Sequence, residues 1–271
     1  MRDTLINALK TAGSILLNFY GTVQTIKIKA NSSSIVTGAD LETETQIIKL
    51  IQNAFPTHNI ISEETGFINK SAKFTWVVDP LDGTSNFAQQ LPWFGTIIAV
   101  LENSKPIMGG VYLPLQDELF FAEENQGAWL NGNPIRVTSE TDLKNALVCF
   151  STDSQPNKVH TIQEMLMLAQ LIPNIRNLRS LNCCIEYCYT AAGRIGGFVN
   201  MFTKIWDIAA ARLILREAGG VMTDLSGEDF DFDITPKHFS KNYAITGGSK
   251  KLHLDIVELI RGIAQRTFKE N

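Results

Sequence analysis

A layered α+β fold is what the 271-residue sequence predicts. Three observations carry the prediction. Apolar residues recur at helical spacing near both ends of the chain and over residues 39–55. Short β-branched and aromatic segments fill residues 94–137. Beyond residue 142 strands and helices intermix, so helices are expected to cover sheets as separate layers.

The elements follow in order. Residues 4–20 place Leu5, Ile6, Leu9, Ala12, Leu16 and Phe19 on one helical stripe, and Gly21 caps it. Residues 23–29 alternate as an edge strand does. Residues 39–55 form a second amphipathic helix, with Leu41, Thr45, Ile48 and Ile51 assigned to one face and Pro56 as its stop. Residues 74–78, Phe-Thr-Trp-Val-Val, read as a buried strand. It is expected to end at Pro80, whose nitrogen has no hydrogen for a ladder. Residues 96–101, 107–113, 118–122 and 128–137 read as an antiparallel meander, and Asn131-Gly132 is a hairpin turn signal. The polar run 138–142 is the best boundary between two halves, 1–140 and 141–271, of one domain. After it come a strand (146–150), helices (158–171 and 183–193), a strand (195–199) and a helix (207–218) closed by Gly219-Gly220. Strand character returns at Val221 and at 243–246, and a last helix covers 251–263.

Composition excludes several function classes. An apolar fraction of 44% and a charged fraction of 19% are those of an ordinary soluble protein with ample core. The net charge of −4 and the scattered basic residues offer no surface for nucleic acid or an anionic membrane. The longest apolar run, from Phe94 to Leu101, stops at Glu102 and is too short to span a bilayer. The N-terminus reads as an amphipathic helix rather than a secretory leader, so a cytoplasmic protein is expected. Cys149, Cys183, Cys184 and Cys188 lack zinc-site spacing and read as buried free thiols.

Chemistry concentrates in Asp79-Pro80-Leu81-Asp82-Gly83-Thr84-Ser85-Asn86-Phe87. Two carboxylates follow a strand and a turn follows at Gly83. Hard divalent cations take such oxygen ligands, and phosphate takes the backbone N–H groups of a turn or helix start. A solvated Asx turn would explain the segment alone. Company argues otherwise: Ser62-Glu63-Glu64 and Trp206-Asp207-Ile208 each put an acid at the edge of an apolar run.

Residues 79–87 resemble the first signature of the inositol monophosphatase family of magnesium-dependent, lithium-sensitive phosphatases. Residues 206–212, Trp-Asp-Ile-Ala-Ala-Ala-Arg, running on to Glu217-Ala218-Gly219-Gly220, resemble the second. Val36-Thr37-Gly38-Ala39-Asp40, Ser62-Glu63-Glu64 and Gly127-Ala128-Trp129-Leu130-Asn131-Gly132 extend the likeness over nearly the whole chain. The resemblance implies an α-β-α-β-α sandwich of the inositol monophosphatase/fructose-1,6-bisphosphatase type, a homodimer, and hydrolysis of a small phosphate monoester. It implies two magnesium ions, or three in some members. Glu63, Asp79 and the Leu81 carbonyl match the ligands of one ion. Asp79, Asp82 and Asp207 match those of another, with Asp79 as the bridge. Gly83 and Thr84 match the N–H groups that take phosphate. Thr84 and Asp40 match the pair that activates water, with Glu63 beside them in the catalytic set. Asp82, Asp207 and Asn200 fall on the substrate side.

Departures concern the alcohol. Leu181-Asn182-Cys183-Cys184 stands where many members have a Gly-Ser/Thr-Ala-Ala run, and Asn200 where they carry a glutamate. Inositol monophosphate, fructose 1,6-bisphosphate, histidinol phosphate and 3′-phosphoadenosine 5′-phosphate all remain open, as does an idle member that binds or regulates. Glu64 has no assigned role, Lys29 is matched by a family lysine or is plain surface, and Trp206 is expected to pack the start of the Asp207 helix. His58, His160, His238 and His253 join no acid–base set.

Overall fold

The computed structural model describes residues 1–22, 26–28, 35–152 and 157–267. Helix α1 (Arg2–Phe19) leads to β1 (Lys27–Ile28), β2 (Ile35–Val36), α2 (Gly38–Ala54), β3 (Asn59–Ser62), β4 (Gly66–Ile68) and β5 (Phe74–Asp82). A short α3 (Thr84–Ala88) precedes β6 (Gly95–Glu102), β7 (Lys105–Leu113), β8 (Glu118–Glu123), β9 (Gly127–Leu130) and β10 (Asn133–Pro134). Then come β11 (Leu147–Ser151), α4 (Lys158–Leu171), β12 (Asn177–Arg179), α5 (Ile185–Ala191), β13 (Gly197–Thr203), α6 (Ile205–Glu217), β14 (Gly220–Asp224), β15 (Tyr243–Ser249) and α7 (Lys250–Thr267).

Three sheets form among the described residues: a β1–β2 ribbon, eight strands in the order β10-β9-β8-β7-β6-β5-β3-β4, and five in the order β12-β11-β13-β15-β14. Strand period places alternate residues on opposite faces of the larger sheet. Trp76, Val78, Ile98 and Val100 meet Leu5, Leu9, Ile47 and Ile51 of α1 and α2. Val77, Ile97, Ala99 and Val111 instead meet Ile185 of α5 and Ala209, Ala210 and Leu213 of α6, together with Phe198 and Ile245 from the smaller sheet. The smaller sheet's far face, Val148, Phe150, Val199 and Met201, packs on Met167 and Leu171 of α4 and Leu252 and Ile256 of α7. The layers therefore run α-β-α-β-α, as expected.

Helix α6 lies between two sheets, so it is buried nearly all round, unlike a surface helix with one apolar stripe. Each fully buried Leu213 or Ile214 contributes roughly 1.5–3 kcal/mol. Small residues let α6 approach: a Cβ on Gly109 of β7 would stand 2.8 Å from the Ala210 Cα.

Several expectations change. Strand β5 does not end at Pro80 but continues to Asp82. Asp79 pairs Ile97 and Asp82 pairs Gly95, so β5 carries an extra residue there. Proline is tolerated in that bulge, where a ladder hydrogen is not required. The buried face of α2 is Asp40, Thr43, Glu44, Ile47 and Ile51, whereas Leu41 is 44% exposed. Polar residues displaced apolar ones there because the helix supplies hydrogen-bond acceptors to the site. Short β3, β4, β12 and α3 went unread. Most of the strand expected at 23–29, including Lys29, lies outside the described residues; within it Lys27–Ile28 pairs with Ile35–Val36. The turn at Asn131-Gly132 is as read, with φ of 49° and 80°.

Candidate active site

Three chain segments converge at the carboxyl end of β5. The bulge places Asp79, which is 2% exposed, and Asp82 at the strand's end. Helix α6 brings Asp207 in its first turn, where the Asp207 Oδ2 accepts a 2.6 Å bond from the Lys204 N–H. Glu63 follows β3 and donates its N–H to the Val78 carbonyl at 3.2 Å. One oxygen each from Asp79, Asp82 and Asp207 lies within 4.8 Å of the others.

Local chemistry holds these groups. The Asp79 Oδ1 accepts from the Leu81 N–H at 3.0 Å, and the Asp82 Oδ2 accepts from the Cys184 N–H. Gly83 adopts φ of 83°, which favours glycine, and a Cβ there would stand 2.7 Å from the Trp93 carbonyl. Asp40 is fully buried and its Oδ2 accepts from the Thr37 N–H at 2.7 Å and the Thr37 hydroxyl at 2.6 Å. Thr84 Oγ1 lies 3.1 Å from Asp40 Oδ1 and 3.0 Å from the Leu81 carbonyl, so its single proton has two acceptors.

Crowded carboxylates in a dry setting resist ionisation. Burial, then Glu63, Asp82 and Asp207, pushes Asp79 well above the ordinary range. Burial, then Asp82 and Glu63, does the same to Asp207 against the Lys204 N–H. Burial raises Asp82 to about 7 against bonds from Cys184. Asp40 is also raised by burial, and bonds from Thr37 and Thr84 oppose the rise. The Lys204 ammonium donates to the Ser240 carbonyl rather than to Asp207. All-oxygen donors clustered this closely, mutually repelling and poor in water, fit a hard divalent cation.

A cleft of about 140 Å³ opens over these acids. Glu63, Asp79, Leu81, Asp82, Gly83, Thr84 and Asp207 form one side; Ser151, Asn182, Cys183, Tyr187, Asn200 and Phe202 form the other. Every residue expected at the site lines this cleft except Asp40, which touches it through Thr84. Asn200 is 9% exposed and donates from Nδ2 to the Tyr187 hydroxyl at 3.0 Å. The four cysteines are buried and free, and Cys183 belongs to the cleft wall. Trp206, in the first turn of α6, is buried in the core. The histidines contact other groups: His58 the Trp76 indole, His160 the Phe202 ring, His238 Asp233 and His253 Thr223.

Two buried glutamates were missed. Glu44 accepts from the Ser62 hydroxyl (2.5 Å), the Glu64 N–H (3.1 Å), and the Thr65 N–H and hydroxyl (3.0 and 2.6 Å). It clamps the turn that carries Glu63. Its spacing of four from Asp40 puts both on one helix face, a signal that was available. Glu186 accepts from the Ser151 hydroxyl (2.5 Å), the Leu181 N–H (2.7 Å) and the Asn182 N–H (3.0 Å), fixing the opposite wall. An acid within the apolar run around 183–191 was its signal.

The model of the inositol monophosphatase family matches residues 1–265. Inositol monophosphatase 2 of Solanum lycopersicum is 37% identical over 236 residues, covering 84% of this chain and 89% of that protein. Nus factor SuhB of Pasteurella multocida is 34% identical over 230 residues, covering 84% and 86%. A solved structure of a Thermotoga maritima IMPase superposes with a TM-score of 0.85 at 30% identity, covering 97% of this chain and 98% of that one. With its layered sandwich and with a family match that runs almost from end to end, the chain belongs to the inositol monophosphatase family.

Proposed function

We propose that the protein hydrolyses a small phosphate monoester with water as the nucleophile and magnesium as cofactor. The observation that carries this reading is the cluster of buried Asp79 with half-buried Asp82 and Asp207, beside Thr84 and Asp40 in one cleft. Magnesium ions held by Glu63, Asp79, the Leu81 carbonyl, Asp82 and Asp207 would supply charge to the phosphate and lower the pKa of the attacking water.

The chain's own groups do the rest. With its proton on Asp40, the Thr84 oxygen turns lone pairs outward and accepts from the attacking water. Asp40 is the proton sink through Thr84 Oγ1. Backbone N–H groups at Gly83 and Thr84 hold phosphate oxygens. As the water oxygen bonds phosphorus, the bond from phosphorus to the ester oxygen breaks, and that oxygen takes a proton from a solvent water molecule. Asp82, Asp207 and Asn200 face the alcohol. The family's homodimer is proposed for this chain as well, and free buried thiols support a reducing, cytoplasmic setting. No helix among the described residues is long and apolar enough to cross a membrane.

Phosphate release from inositol, sugar, amino-alcohol and nucleotide phosphates, ranked by kcat/KM with and without magnesium, tests the reading. Hydrolysis of one class that is lost in EDTA is the expected result; silence toward all of them refutes it. A second reading, a binding or regulatory protein, rests on the SuhB relative being named a Nus factor and on Asn200 in the alcohol wall. Silence in that screen, together with capture of a protein partner by the folded chain, would favour it.

A further inference from the structure

The alcohol side of the cleft contains a tyrosine whose proton has one direction left. Tyr187 is 3% exposed, lines the cleft and packs edge-on against Phe198 at 4.8 Å between centroids. Among the described residues its hydroxyl has a single hydrogen-bond partner, the Asn200 side chain. The orientation of that amide is not arbitrary. Asn200 Oδ1 accepts a 3.0 Å bond from the Phe202 N–H, and a backbone N–H can only donate. The amide nitrogen must therefore be the atom that faces Tyr187, so the phenol oxygen accepts. Its own hydrogen has no acceptor among the described residues, and an unsatisfied buried donor is costly.

We propose that Tyr187 is a specificity-determining residue, its hydroxyl donating to an acceptor-only oxygen of the alcohol, such as the ring oxygen of a cyclic sugar phosphate. This rests on the phosphatase reading. A carboxylate at position 200 would offer acceptors and favour substrate hydroxyls as donors. The Asn200–Tyr187 pair reverses that polarity and presents a donor. Phe202, beside it in the same wall, is an apolar surface suited to the C–H face of a ring.

The experiment compares kcat/KM for glucose 1-phosphate and for its carbocyclic analogue, in which a methylene replaces the ring oxygen. Wild-type protein should prefer the natural sugar by about tenfold or more, the value of one buried hydrogen bond. Tyr187→Phe, which removes only the hydroxyl, should lower that ratio by about tenfold. Asn200→Asp should do the same with Tyr187 intact, because its carboxylate accepts the phenol proton and turns it away from the cleft. A residue that served only to pack the wall would not respond to Asn200→Asp in this way. Should Tyr187→Phe fail to fold, judged by its melting temperature, Asn200→Asp decides. Equal rates on the two esters in wild-type protein, or an undiminished ratio in Asn200→Asp, overturns this assignment while leaving the phosphatase reading standing. Inactivity toward every ester in the wider screen overturns both.

Discussion

Replacing Asp82 by asparagine should make the metal-free protein more stable. Burial raises the Asp82 carboxyl from 3.8 to about 7. A group whose folded value lies above its unfolded value favours folding at low pH, and that support is lost as pH rises through about 7. At about 1.36 kcal/mol per tenfold change, keeping Asp82 ionised at pH 8 costs the fold on the order of 4 kcal/mol. Asp82 is only half-buried, and Glu63 and Glu186 add to the rise that burial causes, so about 2–4 kcal/mol is the expected release. Asparagine keeps an oxygen for the Cys184 N–H, so the wall should hold. At roughly 2 °C per kcal/mol for a chain of this size, the melting temperature in EDTA at pH 8 should rise by roughly 4–8 °C. The gain should shrink to under half at pH 5, and the variant should lose most of the stabilisation that magnesium gives wild-type protein. Calorimetry in EDTA and in magnesium at the two pH values measures this. If Asp82→Asn melted at or below wild type in EDTA at pH 8, the desolvated Asp82 charge would not be what destabilises the metal-free fold.

Three further outcomes follow from the same geometry. Asp207→Asn should lower turnover at limiting magnesium by about a hundredfold or more, since it weakens one ligand set and leaves the fold in place; near-wild-type turnover would remove Asp207 from the site. Glu44→Ala should cost about 1–3 kcal/mol in chemical denaturation and raise the magnesium concentration needed for half-maximal activity, because four donors around 62–65 lose their acceptor. An unchanged magnesium requirement would mean that Glu44 stabilises the turn without positioning Glu63. Lithium at millimolar concentration should inhibit at moderate magnesium by occupying the position between Asp79, Asp82 and Asp207, and insensitivity would count against that site.

Much of this protein is determined locally, and local physics is what a sequence displays. The stripe of α1, the extent of α4 and the Asn131-Gly132 hairpin depend on periodicity and turn chemistry over a few residues, so each was legible. The 79–87 segment and Asp207 were legible for a related reason: acids at the ends of apolar runs are conspicuous wherever the partners lie. The polar face of α2 was not, because Asp40 and Glu44 are buried only when Thr84 and residues 62–65 fold over them to supply donors. The extension of β5 past Pro80 needed a neighbouring strand to form the bulge. Above all, the wall facing the acids is assembled by pairing β11 with β13 and seating α5 beside them. Tyr187, Asn200 and Phe202 lie up to 15 residues apart in the chain, and the direction of one phenol proton depends on which atom of Asn200 the backbone of Phe202 has taken. Sequence alone determined that acids gather here; only tertiary packing decided how dry they are and what the opposite wall offers an alcohol, because desolvation and hydrogen-bond direction are properties of neighbours in space.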